Sequence, residues 1–188
     1  MSIKHTIVAL VENKPGVLNR IASKWRQRSF NIESLAVGHS EVDGLSRMTF
    51  VVDAATTDVE QVVKQVDKLI DVIRIEDISD RPILNRELAL IKVKATPANR
   101  SEVLQIVDIF RANIIDVSAT TLIIEVTGDE DKVDSLLTLL GDYGIMELCR
   151  TGRVAMIRGE DGVTLSEDDH REILLPHLNG DRAPGGIF

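Results

Sequence analysis

Apolar residues along the chain switch between the two-residue spacing of a strand and the three-to-four-residue spacing of a helix. The first run, 3–11, is rich in β-branched residues and predicts a strand. Turn residues at 12–16 end it, and from Val17 to Trp25 the apolar positions lie on one helical face. The rest of this half continues the alternation, with strands predicted at 32–37, 45–52 and 72–78 and a helix predicted at 59–70.

A second half repeats this order after a break at Asp80-Arg81-Pro82. Asn31 and Asn113, which are 82 positions apart, lie where the second strand of each half begins. A period this long indicates duplicated domains rather than a solenoid. The elements of the second half are strands predicted at 87–95, 114–119, 122–127 and 145–148, with 154–157 as an extension of the last strand, and helices predicted at 103–110 and 133–140.

The pattern predicts an α+β protein of two tandem ferredoxin-like βαββαβ domains, each an antiparallel sheet with two helices on one face. We expect the first domain at 1–79, a linker at 80–85, the second domain at 86–158 and a partly mobile tail at 159–188. In the tail, Ser166 to Asp169 resemble a helix start, and Pro176 would end that helix. The bare sheet faces and edges favour association with a second copy.

Composition and charge exclude several partners. The formal net charge of −8 argues against nucleic acid and against an anionic membrane surface, because phosphate binding needs clustered Lys and Arg. No apolar run approaches the roughly 20 residues of a spanning helix, and no signal peptide is recognisable. Only 3% of the residues are aromatic, so we expect aliphatic cores. The one cysteine, Cys149, lies in an apolar strand and is expected to be a small core residue. It excludes an internal disulfide, so we expect a protein of the reducing cytoplasm.

The clearest candidate site is the break Asn13-Lys14-Pro15-Gly16-Val17-Leu18. Pro15 suits a helix start, and Gly16 lets a ligand approach the backbone. The N–H groups of Gly16, Val17 and Leu18 would form an anion site at the positive helix end, suited to a carboxylate. The side-chain oxygen of Asn13 could accept from an α-ammonium group. The same residues also suit an ordinary capped turn, and the residue types leave both interpretations open.

Asn31 is the second candidate, because its amide can donate and accept at the start of a strand. The alternative is a turn residue bonded to its own backbone, and the matching Asn113 favours that alternative, since a structural role would explain both. Nothing resembles a catalytic set: the four histidines are scattered, and no phosphate loop, nucleophile elbow or metal-spaced cluster appears. We predict no catalytic residue and no metal ligand.

The segments 12–21 and 27–35 resemble the regulatory (small) subunit of acetolactate synthase, also called acetohydroxyacid synthase. The loop motif alone would indicate only an ACT domain, the amino-acid-sensing module of many regulators. The resemblance covers about residues 2–159 in the expected order. Further matching motifs are Ser46-Arg47-Met48-Thr49, Arg86-Glu87-Leu88, Phe110 to Val117 and Arg150-Thr151-Gly152.

The resemblance implies a non-catalytic chain that forms a homodimer or higher oligomer and binds a large catalytic subunit. That subunit would hold thiamine diphosphate, Mg²⁺ and FAD and condense pyruvate with pyruvate or 2-oxobutyrate. The small subunit would raise its activity and confer feedback inhibition by valine or a related branched-chain amino acid. The effector would lie between two ACT domains, at the positions that match the family site: Asn13, Pro15, Gly16, Val17, Leu18, Asn31 and Ile32.

Three departures from the family pattern carry expectations of their own. Ser29 stands where the family commonly has Gly, so we expect a differently shaped turn. Thr96-Pro97-Ala98 lacks the Pro-Gly opening, so we expect no equivalent amino-acid site in the second domain. The segment after Gly159 has no recognisable counterpart.

The main alternative is a free-standing tandem ACT sensor that acts on a transcriptional or other protein partner. It would share the fold but lack the motifs at 31–35 and 111–117, which this chain has. A small enzyme on the ferredoxin-like scaffold is the third hypothesis, since fold does not dictate function. The absence of an acid/base pair or nucleophile argues against it. Co-purification with a thiamine-dependent large subunit would distinguish the regulatory-subunit hypothesis from the other two.

Overall fold

The computed structural model describes residues 3–54 and 56–165. Two antiparallel sheets, each with two helices, make up this part of the chain. No helix within it is long and apolar enough to cross a membrane. The helix predicted from Ser166 and the expected mobile end of the tail lie outside the described residues.

The first sheet has the strand order β2-β3-β1-β4. Both helices bury their apolar stripes on one face of it, where Trp25 packs against Phe30 and Phe50 with ring centroids 6.1 and 5.8 Å apart. Valine and isoleucine side chains surround this aromatic cluster. The elements are β1 (Ile3–Glu12), α1 (Val17–Gln27), β2 (Ile32–His39), β3 (Leu45–Ala54), α2 (Thr56–Val66) and β4 (Val72–Asp77).

The second sheet repeats the arrangement with the order β6-β7-β5-β8, and its core is almost wholly aliphatic. The two halves therefore confirm the predicted α+β class and the tandem ferredoxin-like βαββαβ topology. The elements are β5 (Ile83–Lys94), α3 (Arg100–Ile109), β6 (Asn113–Val117), β7 (Thr121–Gly128), α4 (Glu130–Gly141), β8 (Ile145–Arg150) and β9 (Val154–Ile157).

Several strand ends shift by a few residues from the prediction, and β5 and β9 differ in ways that change the fold. β5 begins at Ile83 rather than Glu87, so the end of the expected linker at 80–85 already lies in a strand. β9 does not extend β8; it pairs with the first part of β5, from Ile83 opposite Ile157 to Arg86 opposite Val154. The pairing supplies the hydrogen-bond partners for a strand that has run beyond its own sheet.

The β5–β9 ribbon covers the face of the first sheet that carries no helices. Ala155, Ile157 and Val163 pack with Val8 and Ile78 in one buried cluster. Leu165 continues this cover by packing against Leu10 and Leu45. Val163 and Leu165, in the segment expected to start a partly mobile tail, are therefore held against the first sheet. The bare face expected to need a second copy is covered in part by the same chain.

Arg47 and Arg74 bind β9 and the segment after it to the first sheet through hydrogen bonds. The Arg47 guanidinium donates to the carbonyls of Ala155 and Val163, each at 3.1 Å, and Arg74 donates to the carbonyl of Thr164 at 3.1 Å. Both arginines share a face with Leu10, which they oppose on the neighbouring strands. The segment after β9 has little secondary structure of its own, and these side chains supply donors to its Val163 and Thr164 carbonyls.

Cys149 is exposed rather than buried as the sequence predicts. It lies on β8 opposite Leu90, which alternates with the buried Ala89 and Ile91. Because neighbours along a strand point to opposite faces, Leu90 and Cys149 lie on the face away from α3 and α4. The apolar sequence of β8 therefore did not indicate which of its side chains face the helices and which face solvent.

The first helix of each half ends in the same turn. The N–H of Ser29 donates to the Arg26 carbonyl and that of Phe30 to the Trp25 carbonyl, at 2.9 and 3.3 Å, as in a Schellman motif. The corresponding bonds in the second half run from Arg111 to Asp108 and from Ala112 to Val107, both at 3.0 Å. Ser29 and Arg111 are left-handed, with φ of 59° and 50°. Ser29 thus retains the conformation in which glycine is most favourable.

We predict that Ser29→Gly stabilises the protein, because a side chain in the left-handed region costs about 1–2 kcal/mol and the greater freedom of unfolded glycine offsets part of that gain. The free energy of unfolding in urea should rise by about 0.5–1 kcal/mol. Ser23→Gly is the matched control; it lies within α1 and should lower stability by about 0.5–1 kcal/mol. A loss of stability in Ser29→Gly would show that the turn carries no strain.

Candidate functional site

The β1–α1 loop, residues 13–16, is exposed at one end of the first sheet. The backbone N–H of Asn13 donates to the carbonyl of Gly44 at 2.8 Å, which ties the loop to the turn between β2 and β3. Gly16 precedes α1 with φ of 85°, and a Cβ built there would have no atom within 4 Å. The backbone at Gly16 is therefore sterically accessible, and the ligand site expected there stays a prediction.

Backbone donors at the start of α1 lack acceptors. The N–H of Val17 donates to the carbonyl of Lys14 over a long 3.4 Å, whereas those of Gly16 and Leu18 have no acceptor among the described residues. The first turn of α1 has no acidic residue, and its N-cap makes no side-chain hydrogen bond. The positive end of the helix dipole is therefore uncompensated within the described chain, which suits an anion such as a carboxylate.

The apolar candidate residues divide into buried and accessible side chains. Val17 is 2% exposed and lies in the core, so a ligand could reach only its backbone. Leu18 is 38% exposed, and Ile32 is partly buried against the core. A pocket for a branched side chain would therefore use Leu18 and Ile32.

An ion pair that the sequence analysis missed holds both sides of the loop. The Arg20 guanidinium lies 3.2 and 3.1 Å from the two carboxylate oxygens of Asp71, which is buried before β4. The carbonyl of Asp71 also accepts the N–H of Glu12 at 2.9 Å. Asp71 thus contacts the residue that precedes the loop and a residue on the first turns of α1. The sequence places Arg20 four residues after Gly16 but gives no sign of its partner.

Asn31 and Asn113 occupy matching positions but differ in their contacts. The Asn113 amide donates to the Glu125 carboxylate at 3.3 Å, across the β6–β7 pair. The Asn31 side chain is exposed and has no hydrogen-bond partner among the described residues. A shared structural role, the alternative that the sequence favoured slightly, does not account for Asn31.

The two groups of candidate residues lie at opposite ends of the first sheet. Asn13 follows Glu12, which pairs with Leu45, whereas Ile32 pairs with Val52, which pairs with His5. His5 and Glu12 lie roughly 24 Å apart along β1. One amino acid cannot span that distance, so Asn13 and Asn31 of the same chain do not contact a single ligand.

The matching loop of the second domain, residues 95–99, is filled by the chain itself. The Arg100 guanidinium donates to the carbonyls of Ala95, Ser118 and Ala119 at 2.7–2.8 Å. Thr96 and Asn99 bond to each other through their side chains at 3.2 Å. The loop of the second domain is therefore tied down by side-chain hydrogen bonds to its own chain.

No group of His, Cys, Asp and Glu suited to holding a metal ion occurs in the described part of the chain. The polar cavity between the domains, about 560 Å³, is lined by three cations and three carboxylates. Its ion pairs include Lys4 with Glu33, Arg153 with Glu130 and Arg150 with Glu87. Each of these pairs lies within one domain, whereas the Lys4–Glu130 pair, at 3.0 Å, crosses the boundary between the domains.

Both halves of the chain match protein families. Residues 7–74 match the AHAS small subunit-like ACT domain, and residues 86–159 match the small subunit of acetolactate synthase. A probable acetolactate synthase small subunit from Archaeoglobus fulgidus is 56% identical over 157 residues, which cover 84% of this chain and 98% of that protein. The chain belongs to the acetolactate synthase small-subunit family.

Further relatives in this family support the same assignment. The acetolactate synthase small subunit of Bacillus subtilis is 47% identical over 158 residues, 84% of this chain and 92% of that one. The crystal structure of the small subunit from Thermotoga maritima is similar with a TM-score of 0.78 and 40% identity, over 85% of this chain and 99% of that chain. The resemblance noted in the loop and β2 motifs is therefore confirmed.

We predict that Arg20→Ala destabilises the first domain, because Asp71 would remain buried without its cation. The free energy of unfolding in urea should fall by about 1–3 kcal/mol. Arg26→Ala, at the exposed end of the same helix, is the matched control and should change stability by less than about 0.5 kcal/mol. Equal effects of the two changes would mean that the Arg20–Asp71 pair does not support the loop.

Proposed function

We propose that this chain is the regulatory subunit of acetolactate synthase in the biosynthesis of isoleucine, valine and leucine. It binds the catalytic subunit, raises its activity and confers feedback inhibition by valine or a related branched-chain amino acid. The small-subunit names of its relatives support this proposal. Residues 1–79 would form the effector-binding domain and 86–158 the second domain.

The proposal assigns the reaction to the catalytic subunit, which would hold thiamine diphosphate, Mg²⁺ and FAD. The described residues of this chain fit no metal ion. The chain's own contribution is a site for a small effector and surfaces for its partners. We place the complex in the cytoplasm, as the single cysteine suggests.

The observation that carries the effector site is the placement of unpaired polar groups at opposite ends of one sheet. A twofold axis beside the outer strand β2 would run the two copies of β2 in opposite directions. The β1–α1 loop of one protomer would then meet Asn31 and Ile32 of its partner. A homodimer thus forms two equivalent sites, each built from both chains.

The chemistry of the two halves matches a branched-chain amino acid. The N–H groups of Gly16 and Leu18 would donate to its carboxylate at the positive end of α1. The side-chain oxygen of Asn13 would accept from its ammonium group, and the amide of Asn31 from the other protomer would complete the polar contacts. Leu18 and Ile32 would enclose the short aliphatic side chain.

Mixed dimers test whether the site is shared. Asn13→Ala and Asn31→Ala should each weaken valine binding about ten- to a hundredfold, since each removes a hydrogen bond to a charged ligand. In a dimer containing one chain of each variant, one site carries both changes and the other carries neither. Calorimetry on such dimers, purified with two affinity tags, should therefore show one site of wild-type affinity per dimer.

Asn113→Ala is the control for these dimers, because Asn113 bonds to Glu125 within its own sheet. It should bind valine like the wild type. A mixed dimer without a site of wild-type affinity would contradict the shared arrangement. Wild-type affinity in both single variants would place the effector elsewhere.

Reconstitution separates activation from inhibition. The purified chain alone should form no acetolactate, and adding it to the catalytic subunit should raise turnover. Gly16→Asp should retain this activation but abolish valine inhibition, because a carboxylate at the helix start repels the effector carboxylate. Turnover assays with increasing valine concentration measure both properties.

Gly159→Asp is the matched control for Gly16→Asp. Gly159 has φ of 87°, and a Cβ built there also has no atom within 4 Å, so the change brings the same strain and the same charge. It should leave both activation and inhibition unchanged. Acetolactate formation by the chain alone, or normal inhibition in Gly16→Asp, would contradict the proposal.

A further inference from the structure

The second domain contacts β2 at a point where no side chain fits. A Cβ built on Gly152 would overlap the carbonyl group of Leu35 and approach the amide nitrogen of Ala36 to 2.7 Å. Gly152 lies between β8 and β9, in the turn 150–153. The contact is therefore a close approach of two backbones, one from each domain, which only glycine permits.

A closed ring of polar contacts surrounds this approach. The N–H of Arg153 donates to the Ser34 hydroxyl at 2.7 Å, and the Arg153 guanidinium lies 2.6 Å from the Glu130 carboxylate. Lys4 bridges Glu130 and Glu33, at 3.0 and 3.2 Å. Because Glu33 precedes Ser34 in the chain, the ring joins two adjacent residues of β2 to the second domain.

The ring encloses a bulge in β2. Ile32 pairs with Val52 and Ser34 pairs with Val51, so Glu33 is an extra residue on the β2 side. A bulge changes the direction in which the neighbouring side chains point. Ile32, the first residue of β2, and Asn31, which precedes the strand, are candidate effector residues and lie immediately before the bulge.

We propose that the turn 150–153 of the second domain positions the bulge of β2 and, through it, Asn31 and Ile32. The second domain thereby sets the affinity of the effector site. The inference rests on the proposed function, because it assigns Asn31 and Ile32 to that site. Ser34, Gly152 and Arg153 are positioning residues that need not touch the effector.

The contacts between the second domain and β2 differ in how strongly they fix the position of that strand. Lys4 is 47% exposed, so its ion pairs are screened by solvent and contribute little. The hydrogen bond from Lys4 lowers the pKa of Glu130, and the same bond raises the pKa of Lys4. The contribution of Glu130 is therefore lost as the pH falls through its lowered pKa. The packing at Gly152 and the bond from Arg153 to Ser34 are less accessible to solvent, and they carry most of the positioning.

The test measures hydrogen exchange and valine binding on the full-length chain. Gly152→Ala should force the two backbones apart, so the amides of residues 31–36 should exchange faster. Valine binding, measured by calorimetry, should weaken at least about tenfold. Ser34→Ala removes only the acceptor for the Arg153 N–H and should weaken binding about three- to tenfold.

Gly141→Ala is the matched control, because a Cβ built at Gly141 has no atom within 4 Å. It should change neither the exchange of residues 31–36 nor the affinity. Unchanged exchange in Gly152→Ala would overturn the proposal, and so would faster exchange with unchanged affinity. If Gly152→Ala also loses protection in β5 and β7, Ser34→Ala decides: unchanged exchange of residues 31–36 would then overturn the proposal.

The outcomes also separate this inference from the proposed function. If the wild-type chain binds no branched-chain amino acid, the effector assignment fails, and with it the claim about affinity. The positioning of β2 is then decided by hydrogen exchange alone. Faster exchange of residues 31–36 in Gly152→Ala but not in Gly141→Ala would still support it.

Discussion

A four-stranded sheet with helices on one face leaves its other face open to water, and the rest of this structure depends on how that face is covered. The second half of the chain supplies the cover, with Ala155, Ile157 and Val163 packed on Val8. Once β9 lies there, the preceding turn must pass along β2, and β5 must extend beyond its own sheet to pair with β9. The two domains are therefore joined through packed strands rather than through a free linker.

The direction of the strands imposes the second constraint. A chain that runs up β1, back through α1 and up β2 leaves the β1–α1 loop and the start of β2 at opposite ends of the sheet. No local rearrangement within one protomer can bring Asn13 and Asn31 together, because the hydrogen-bond register of β3 fixes both. The proposed effector site is therefore one shared between two chains, and such a site would link effector binding to association of the protomers.

Most of the fold could be predicted from the sequence because apolar spacing reports local periodicity. What could not be predicted depends on contacts between distant residues. The apolar stretch at 154–157 gave no sign that it pairs with residues 83–86, and Asp71 gave no sign of its bond to Arg20. At the candidate site, the open backbone of Gly16 follows from its residue type, whereas the burial of Val17 required the packed core.

The two copies of the duplicated domain share a backbone arrangement but differ in the hydrogen bonds of their polar groups. In the second domain, Arg100 donates to the loop carbonyl of Ala95, and Asn113, the counterpart of Asn31, bonds to Glu125. In the first domain, Gly16, Leu18 and Asn31 keep donors without internal acceptors, at exposed positions where water can solvate them at little cost. A ligand that replaces this water meets donors already held in place by the helix and sheet, so little ordering is required on binding. The unpaired groups are therefore stable in the free protein and still available for recognition.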